Sequence, residues 1–304
     1  MKISIIIPTK DRFEYLKETF NFLSKNKFFF TEVIVVDSSI RQGIKIRKLC
    51  NEAKFKTKLL RSKASIAYQR NIGLKNLNKK TDFVMFLDDD ITFQKDAFHQ
   101  MRLAILGLDK NTVGFGFNLQ LKKRLNFLDK LKKINIVKKL GIYNSKMGVV
   151  TPSGWQTIAY NFKKNSEVSW LSTQASIFKY KAIKNIYFDI FFEDYSYLED
   201  LDFSYRTSKL GKLLLIHKAK YQHPNEIERS GYFFGKKEIL NRYYFVKKNK
   251  LRFVNFLLGA IVKSGINLTR LKLSFFLRFV GNINSLIRII FFLSFTGIDD
   301  NKKH

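Results

Sequence analysis

Short apolar runs alternate with amphipathic segments through the first 90 residues, and this alternation predicts an α/β sheet. Four short segments are predicted strands, of which all but the third are largely apolar: Lys2 to Ile7, Glu32 to Val36, Thr57 to Leu60 and Phe83 to Leu87. Three stretches between them have helical periodicity: Arg12 to Ser24, Arg41 to Ala53 and Ser65 to Leu77. Strands that alternate with helices pair in parallel, so we expect a doubly wound sheet whose strand ends converge on one crevice.

Polar residues follow three of these predicted strands. The three groups are Pro8-Thr9-Lys10-Asp11-Arg12, Asp37-Ser38-Ser39 and Asp88-Asp89-Asp90. Three adjacent carboxylates repel one another, and a divalent cation would relieve that repulsion. A solvated turn in which an Asp caps a helix is the alternative interpretation of the triplet.

The net charge of +31, from 56 basic and 25 acidic residues, indicates an anionic partner such as nucleic acid, phospholipid or a phosphorylated substrate. A genome-wide residue bias is an alternative source of this composition. Cys50 is the single cysteine, which excludes a disulfide framework and a cysteine-rich zinc site. The apolar run from Met1 to Pro8 is too short for a signal peptide, so we expect a cytosolic protein.

Two common phosphate-binding motifs do not occur in the sequence. No G-x-G-x-x-G pattern follows the first predicted strand, and there is no Walker lysine motif. A phosphorylated ligand would therefore be held in another way, and a metal ion on the Asp triplet is the candidate.

Five segments, in this order, resemble the signature of family 2 glycosyltransferases. They are Ile5 to Arg12, Val33 to Ser39, Ala67 to Gly73, Leu87 to Asp90 and Leu198 to Arg206. The resemblance implies an α/β, GT-A (Rossmann-like) nucleotide-diphospho-sugar transferase fold over residues 1–225. Residues 226–304 would form a helical, amphipathic C-terminal appendage.

The resemblance also implies an activity, which is inverting transfer of a sugar from a nucleoside diphosphate to an acceptor hydroxyl. Mn²⁺ or Mg²⁺ would stabilise the departing diphosphate as a Lewis acid. Asp90 would be the direct metal ligand, and Asp88 would face the ribose or a metal-bound water. Asp89 would be an alternative ligand or a donor contact, and His223 would complete the metal site. A structural role for His223 is the open alternative.

Further donor contacts follow from the same resemblance. Pro8, Thr9 and Asp37 would line a nucleobase pocket, where the Asp37 carboxylate favours uracil or thymine over guanine. Asp11 departs from the Asn or Tyr often found in that turn. Arg70 would lie near the base and the phosphates, or be a surface cation on an amphipathic helix. Gly73 would let that helix approach the sheet closely.

A second acidic group spans residues 193–202 and includes Glu193, Asp194 and three further acids. By similarity Asp200 is the general base, and Glu199 assists it or binds the acceptor. Asp202 and Arg206 are four residues apart and are expected to pair structurally. Trp155 and Trp170 would lie near the acceptor.

Two basic and apolar regions suggest an anionic membrane surface or a lipid-linked acceptor. The first is the segment from Lys122 to Lys146. The second runs from Leu251 to Ile298, where the longest uncharged stretches are too short to span a bilayer. Because Gly259, Gly265 and Gly281 disfavour one unbroken helix, we expect a pair of helices in the membrane plane. A helical cap on the catalytic domain and a dimer contact are the alternatives.

The sequence as a whole therefore predicts a metal-dependent glycosyltransferase at the inner face of the cell membrane, making a cell-surface polysaccharide or glycolipid. Two other classes stay open at this point. A basic chain with 31 Phe and 13 Tyr could bind single-stranded nucleic acid, and a GT-A scaffold could be inactive.

Overall fold

The structure is a computed structural model of the chain, and it describes residues 1–107, 109–121, 138–139, 141–192, 197–223 and 229–293. These residues form two units. The first contains residues 1–107, 109–121, 147–149, 158–192 and 197–223. The second contains residues 138–139, 141–146, 150–157 and 229–293. The segment 150–157, which the sequence analysis placed in the first domain, thus belongs to the second unit.

One mixed sheet of nine strands forms the centre of the described part of the first unit. The strands are β1 (Ile3–Thr9), β2 (Glu32–Asp37), β3 (Thr57–Arg61), β4 (Phe83–Leu87), β5 (Thr92–Phe93), β6 (Thr112–Leu119), β7 (Ser166–Val168), β8 (Ala175–Lys179) and β9 (Lys212–Gln222). Their order is β3-β2-β1-β4-β8-β6-β9-β5, with β7 paired to β9.

The four strands predicted from the sequence pair in parallel, as expected. β1 pairs with β2 and β4, and β2 pairs with β3. Every residue of β1 and of β2 is buried, which is typical of central parallel strands covered on both faces. The register aligns Thr9 with Asp37, so the polar residues that follow these two strands lie side by side at one edge.

The other half of the sheet, which the expectation from the first 90 residues did not cover, is not parallel throughout. β8 runs antiparallel to both β4 and β6, while β6 and β9 are parallel. β9 runs from Lys212 to Gln222, so His217 lies within the strand and His223 follows its end.

Helices cover the two faces of the sheet. Those of the first unit are α1 (Phe13–Lys25), α2 (Gly43–Asn51), α3 (Ile66–Lys75), α4 (Ala97–Leu106), the single turn α5 (Tyr180–Ile183) and α6 (Glu199–Ser208). A 3-10 turn covers Ile190–Phe192. On α1 the buried residues Leu16, Phe20 and Leu23 recur at the predicted helical spacing and pack into the core.

The second unit contains three long helices, α7 (Tyr232–Lys248), α8 (Phe253–Leu268) and α9 (Leu273–Arg288), the last continued by a π-helical turn over Ile289–Leu293. The predicted pair of helices in the C-terminal region is thus present, but the glycines do not break them. Gly259 and Gly265 lie inside α8, Gly281 lies inside α9, and the break comes at 269–272. A methyl group on Gly281 would collide with the Tyr232 carbonyl oxygen of α7, so this glycine permits close helix packing.

Gly73 brings α3 close to the sheet, as the sequence analysis expected. A β-carbon at this position would lie 2.5 Å from Cγ2 of Ile6, whose side chain is fully buried in the core. Because Ile6 is β-branched and closely packed, it has little freedom to move away.

We predict that Gly73→Ala lowers the free energy of unfolding by about 1–3 kcal/mol, the usual cost of overpacking a core. The matched control is Gly107→Ala, where a β-carbon would meet only the Leu103 carbonyl oxygen at 3.4 Å. Urea denaturation of both variants measures the difference, and equal stabilities would contradict the close approach of α3 to the sheet.

Candidate active site

The Asp triplet follows β4 at the edge where β1 and β2 also end, and its three carboxylates have different surroundings. Asp89 is turned into the protein and is 3% exposed. Its carboxylate accepts hydrogen bonds from Thr9 Oγ1 at 2.7 Å and from Arg12 Nη1 at 3.0 Å, and its backbone carbonyl accepts one from Thr19. Asp89 therefore ties β4 to β1 and α1, and its carboxylate is occupied by protein donors.

Asp88 lies beside a buried arginine. Arg70 on α3 is 2% exposed and donates through Nη2 to Asp88 Oδ1 at 2.8 Å. Its other terminal nitrogen, Nη1, lies 3.4 Å from Glu199 Oε1 on α6. Arg70 thus joins the Asp triplet to the second acidic group, and the alternative of a surface cation is wrong.

Asp90 points toward His223, which directly follows β9. Nε2 of His223 lies 3.2 Å from Asp90 Oδ1, and Arg12 Nη2 donates to Asp90 Oδ2 at 2.7 Å. Oδ1 is buried, and among the described residues no donor reaches it with ordinary hydrogen-bond geometry. One ligand atom from each of Asp88, Asp90 and His223 lies within 4.8 Å of the others.

These three residues fit a divalent cation. Two carboxylates and an imidazole are the oxygen and nitrogen ligands found at Mn²⁺ and related sites, and the buried Oδ1 of Asp90 gains a partner when a cation binds. Asp89 does not belong to this group, so its predicted alternative role as a metal ligand is not supported by the geometry.

Burial and neighbouring charges shift the pKa values of the ionisable groups in the site. Burial raises the pKa of Asp88, and it raises that of Asp89 to about 7 even though Arg12 acts in the opposite direction. Burial also disfavours ionised Asp90, but His223 and Arg12 outweigh it and lower the Asp90 pKa. The imidazole of His223 is likewise buried, and the neighbouring Asp90 nevertheless raises its pKa.

The second acidic group begins α6. Leu198, which precedes the helix, has φ = 81°, a left-handed conformation that is unfavourable for a leucine and turns the chain sharply into the helix. Glu199 and Asp200 consequently occupy the first turn, where unpaired backbone N–H groups favour ionised carboxylates. Asp200 is partly exposed and accepts a hydrogen bond from the backbone N–H of Leu201.

The predicted pairing of Asp202 with Arg206 is confirmed, and Asn71 has a structural role beside it. Arg206 Nε donates to Asp202 Oδ2 at 2.9 Å, one turn away on α6. Asn71 exchanges two hydrogen bonds with the backbone of Phe188, which fixes α3 to the loop before the 3-10 turn. Glu193 and Asp194 lie outside the described residues.

The predicted nucleobase pocket contains an arginine that the sequence analysis missed. Asp37 is fully buried, and its Oδ2 is ion-paired with Nη1 of Arg61 at the end of β3. Oδ1 accepts the backbone N–H of Ser39 at 2.7 Å, and Nη2 of Arg61 donates to the Ser39 carbonyl oxygen. Arg61 could have been suspected because it ends a parallel strand next to Asp37 in the register.

The other residues predicted at this end of the sheet have structural partners. Pro8 and Thr9 are buried, and the Thr9 hydroxyl is bound to Asp89. The Asp11 carboxylate accepts hydrogen bonds from the backbone N–H groups of residues 40–42, and these bonds hold the chain at the start of α2. The same bonds, that from Arg41 first, lower the pKa of Asp11. Their contacts with a donor stay predictions.

Gln69 was also missed by the sequence analysis. Its buried Nε2 donates to the carbonyl oxygens of Thr9 and Val36, which satisfies the backbone at the ends of β1 and β2. No sequence motif distinguishes this glutamine from an ordinary polar residue of a helix.

The two tryptophans predicted near the acceptor belong to different units. Trp170 precedes β8 in the first unit and is 7% exposed. Trp155 lies in the second unit, where its ring stacks on Phe256. Their roles in acceptor binding stay predictions.

This fold, with an acidic cluster at the carboxyl end of a central strand, is that of GT-A glycosyltransferases. Residues 4–186 match glycosyl transferase family 2, and the chain belongs to this family. Glu199, Asp200 and His223 lie beyond the matched residues.

Solved structures give the same fold assignment. TarS from S. aureus, in its 1–349 form in complex with UDP-GlcNAc, superposes with a TM-score of 0.59 at 20% identity, over 95% of this chain and 81% of that one. GalNAc-T7 with UDP, GalNAc and Mn²⁺ superposes with a TM-score of 0.54 at 12% identity, over 84% of this chain and 56% of that one. A search of curated proteins gives no match.

The position of Arg70 between two carboxylates leads to a stability prediction. Arg70→Met should lower the free energy of unfolding by about 3 kcal/mol, because Asp88 and Glu199 then remain close together and largely buried without their shared cation. Lys48→Met is the control, since Lys48 is exposed and lies 3.9 Å from the exposed Glu52. The control should change stability by less than about 0.5 kcal/mol. A loss of equal size in both variants, measured by urea denaturation, would contradict a buried bridge at Arg70.

Proposed function

We propose that this glycosyltransferase transfers a sugar, with inversion, from a UDP- or dTDP-sugar to a saccharide or lipid-linked acceptor. The observation that carries the proposal is the cluster of Asp88, Asp90 and His223 next to Arg70 and α6. The cluster lies where β1, β2 and β4 end together, which is where α/β sheets of this kind bind ligands. A nucleic-acid-binding role is disfavoured by the family match, and the paired acids disfavour an inactive scaffold.

The ion pair of Asp37 and Arg61, at the ends of β2 and β3, supports the choice of uracil or thymine as the base. A carboxylate acceptor lies directly beside guanidinium donors in this pair. Uracil and thymine present an N–H between two carbonyl oxygens, so they complement an acceptor flanked by donors. Two of the structural relatives, TarS and GalNAc-T7, were solved with UDP or a UDP-sugar, which supports the same choice.

Asp88, Asp90 and His223 would hold Mn²⁺ or Mg²⁺. When bound, such an ion supplies positive charge that stabilises the diphosphate as it departs. Mn²⁺ suits the imidazole ligand better than Mg²⁺ does, and GalNAc-T7 was solved with Mn²⁺. Arg12 and Arg70 hold the ligand carboxylates through hydrogen bonds of 2.7 Å and 2.8 Å, so the ligands are oriented before a cation arrives.

Asp200 would accept the proton of the acceptor hydroxyl. As the acceptor oxygen bonds to the anomeric carbon, its proton moves to Asp200, and the bond from that carbon to the diphosphate breaks with its electrons on the diphosphate oxygen. A single displacement of this kind inverts the anomeric carbon. Glu199, held by Arg70, would orient the acceptor or the donor sugar.

The acceptor and pathway are proposed from charge. A chain of net charge +31 favours an anionic acceptor or an anionic surface, such as a lipid-linked saccharide at the inner face of the cell membrane. Synthesis of a cell-surface polysaccharide or glycolipid is the proposed setting. A screen of UDP-, dTDP- and GDP-sugars for donor hydrolysis, with and without a panel of lipid-linked acceptors, tests donor and acceptor separately.

Metal dependence can be measured without knowing the acceptor. UDP should bind more tightly with Mn²⁺ than with EDTA in calorimetry, and Asp90→Ala and His223→Ala should each remove this difference. The control is Asp109→Ala, which removes an exposed carboxylate paired with Lys212 and should leave the Mn²⁺ effect intact. Equal UDP affinity with Mn²⁺ and EDTA in the unmodified protein would exclude the metal role.

The base is tested by Asp200→Asn, in which the amide keeps the size of the side chain but cannot take up the proton. We expect kcat of sugar transfer, or of donor hydrolysis with water as the acceptor, to fall by about 10² to 10⁴ while UDP affinity stays unchanged. Asp96→Asn is the control, because Asp96 is exposed and makes no side-chain cap to α4. Activity of Asp200→Asn within tenfold of the unmodified enzyme would show that another group is the base.

A further inference from the structure

Helices α8 and α9 of the second unit bury small and polar residues. Four of the five buried residues of α8 are of this kind, namely Gly259, Ala260, Ser264 and Asn267. Three of the five on α9 are also small or polar, namely Gly281, Asn282 and Ser285. A helix that packs onto a core in water normally turns its large apolar side chains inward.

The outer faces of the same helices carry the large apolar residues. On α9 and its π-helical turn, one exposed stripe contains Leu273, Phe276, Leu277, Val280, Asn284, Ile287 and Phe291. At the helical repeat these positions fall within about 100° of one another, and none of them is charged. On α8 the exposed apolar residues Val254, Ile261 and Leu268 form a second uncharged stripe, within about 40° by the same repeat. We call these two stripes together the apolar face.

A polar network lies on the inner side of these helices. Glu238 of α7 is 5% exposed and accepts two hydrogen bonds from Arg278 of α9, at 2.6 Å and 2.9 Å. The Asn282 amide lies 3.1 Å from Ser264 Oγ of α8. Polar groups inside, small residues at the helix crossings and apolar groups outside are the pattern of helices that meet lipid.

The charge of the surrounding surface indicates which lipid. Residues 229–293 contain thirteen Lys or Arg residues and a single acid, and that acid is the buried Glu238. Arg270 and Lys272 lie in the connection between α8 and α9, next to Leu271, which is 95% exposed. Basic residues at the border of an apolar face attract anionic head groups, and their long stems let the charge stay at the surface.

We propose that the apolar face is inserted into the interfacial layer of an anionic membrane, with α8 and α9 lying along it. A second copy of the chain fits this face less well, because it would bring two strongly basic surfaces together without compensating acids. The helix over Leu273–Phe291 is also long and apolar enough to cross a membrane by length and composition, with a mean hydropathy of 1.3 and 33% of the window buried. One third of this helix is buried against protein, and the helix contains Arg278 and Arg288. Both features favour a helix that lies in the membrane interface over one that crosses the bilayer.

The test uses the full chain and two kinds of vesicle. One is pure phosphatidylcholine, and the other also contains about 30% of the anionic lipid phosphatidylglycerol. The variant carries Phe276→Glu and Val280→Glu, which are 52% and 38% exposed. We expect cosedimentation with the anionic vesicles to weaken by about tenfold or more. The unmodified protein should bind the neutral vesicles much less.

The matched control carries Ile44→Glu and Leu106→Glu, two exposed apolar residues of the first unit. It changes the net charge by the same amount, so a loss of binding equal to that of the first variant would reduce the effect to overall charge and overturn the proposal. Binding of the first variant within twofold of the unmodified protein would overturn it as well. Unchanged thermal unfolding and UDP affinity establish that each variant is folded.

Two further measurements separate the remaining outcomes. Phe276→Trp should give tryptophan fluorescence that is quenched by lipids brominated in the acyl chain, and an absence of quenching would place this helix outside the bilayer. Sedimentation equilibrium without lipid detects self-association. A dimer that Phe276→Glu with Val280→Glu dissociates, while vesicle binding is unaffected, would assign the apolar face to a second copy instead.

Discussion

The first unit depends on the balance of charge around the Asp triplet. Three carboxylates follow one buried strand, and each would oppose ionisation of the others if no cation were near. Two guanidinium groups supply positive charge. Arg12, in the turn after β1, pairs with Asp89 and Asp90, and Arg70 of α3 pairs with Asp88. The two carboxylates differ in their partners: both oxygens of Asp89 accept hydrogen bonds from Thr9 and Arg12, whereas Oδ1 of Asp90 faces the imidazole of His223 at 3.2 Å without an ordinary hydrogen bond among the described residues. Asp90 can therefore offer this oxygen to a cation more readily than Asp89 can, because the protein's own donors already occupy the Asp89 carboxylate.

The contacts of Arg70 with the acidic residues depend on local features of the backbone. Gly73, one turn further along α3, lets the helix lie against Ile6 of β1, and from this helix Arg70 reaches Asp88 and Glu199. Leu198 turns the chain into α6 through a left-handed conformation, and Glu199 in the first turn of that helix meets Arg70. Both features cost conformational freedom or strain, and in return they bring into one site acidic residues that are more than 100 positions apart in the sequence.

Much of this arrangement could be predicted from the sequence, and the exceptions have physical causes. The parallel strands β1, β2 and β4 were predictable because each is a largely apolar run followed by polar residues, and β3 was predictable from its place between two helical segments. β5 and β7 have two and three residues, which is too short for any periodicity, and the antiparallel direction of β8 follows from pairings distant in sequence. That Asp88, Asp90 and His223 could come together was predictable from the sequence. That Asp89 would bind Thr9 and Arg12 was not, since three adjacent aspartates are indistinguishable until the backbone orients their side chains.

In the second unit the sequence pattern predicts the helices but not the surface that their apolar side faces. Its helices have a clear apolar periodicity, and such a pattern does not by itself say whether the apolar side faces protein or another surface. The structure decides this through the small residues: the backbones of α7 and α9 touch at Gly235 and Gly281, and only glycine fits there, because a β-carbon on either would collide with a carbonyl oxygen of the opposite helix. Once the glycines and the pair of Glu238 and Arg278 occupy the inner side, the phenylalanines and leucines of α9 that lie opposite are left on the outer side. The polarity of these helices is therefore set by where the backbones must approach, and the apolar face follows from that requirement.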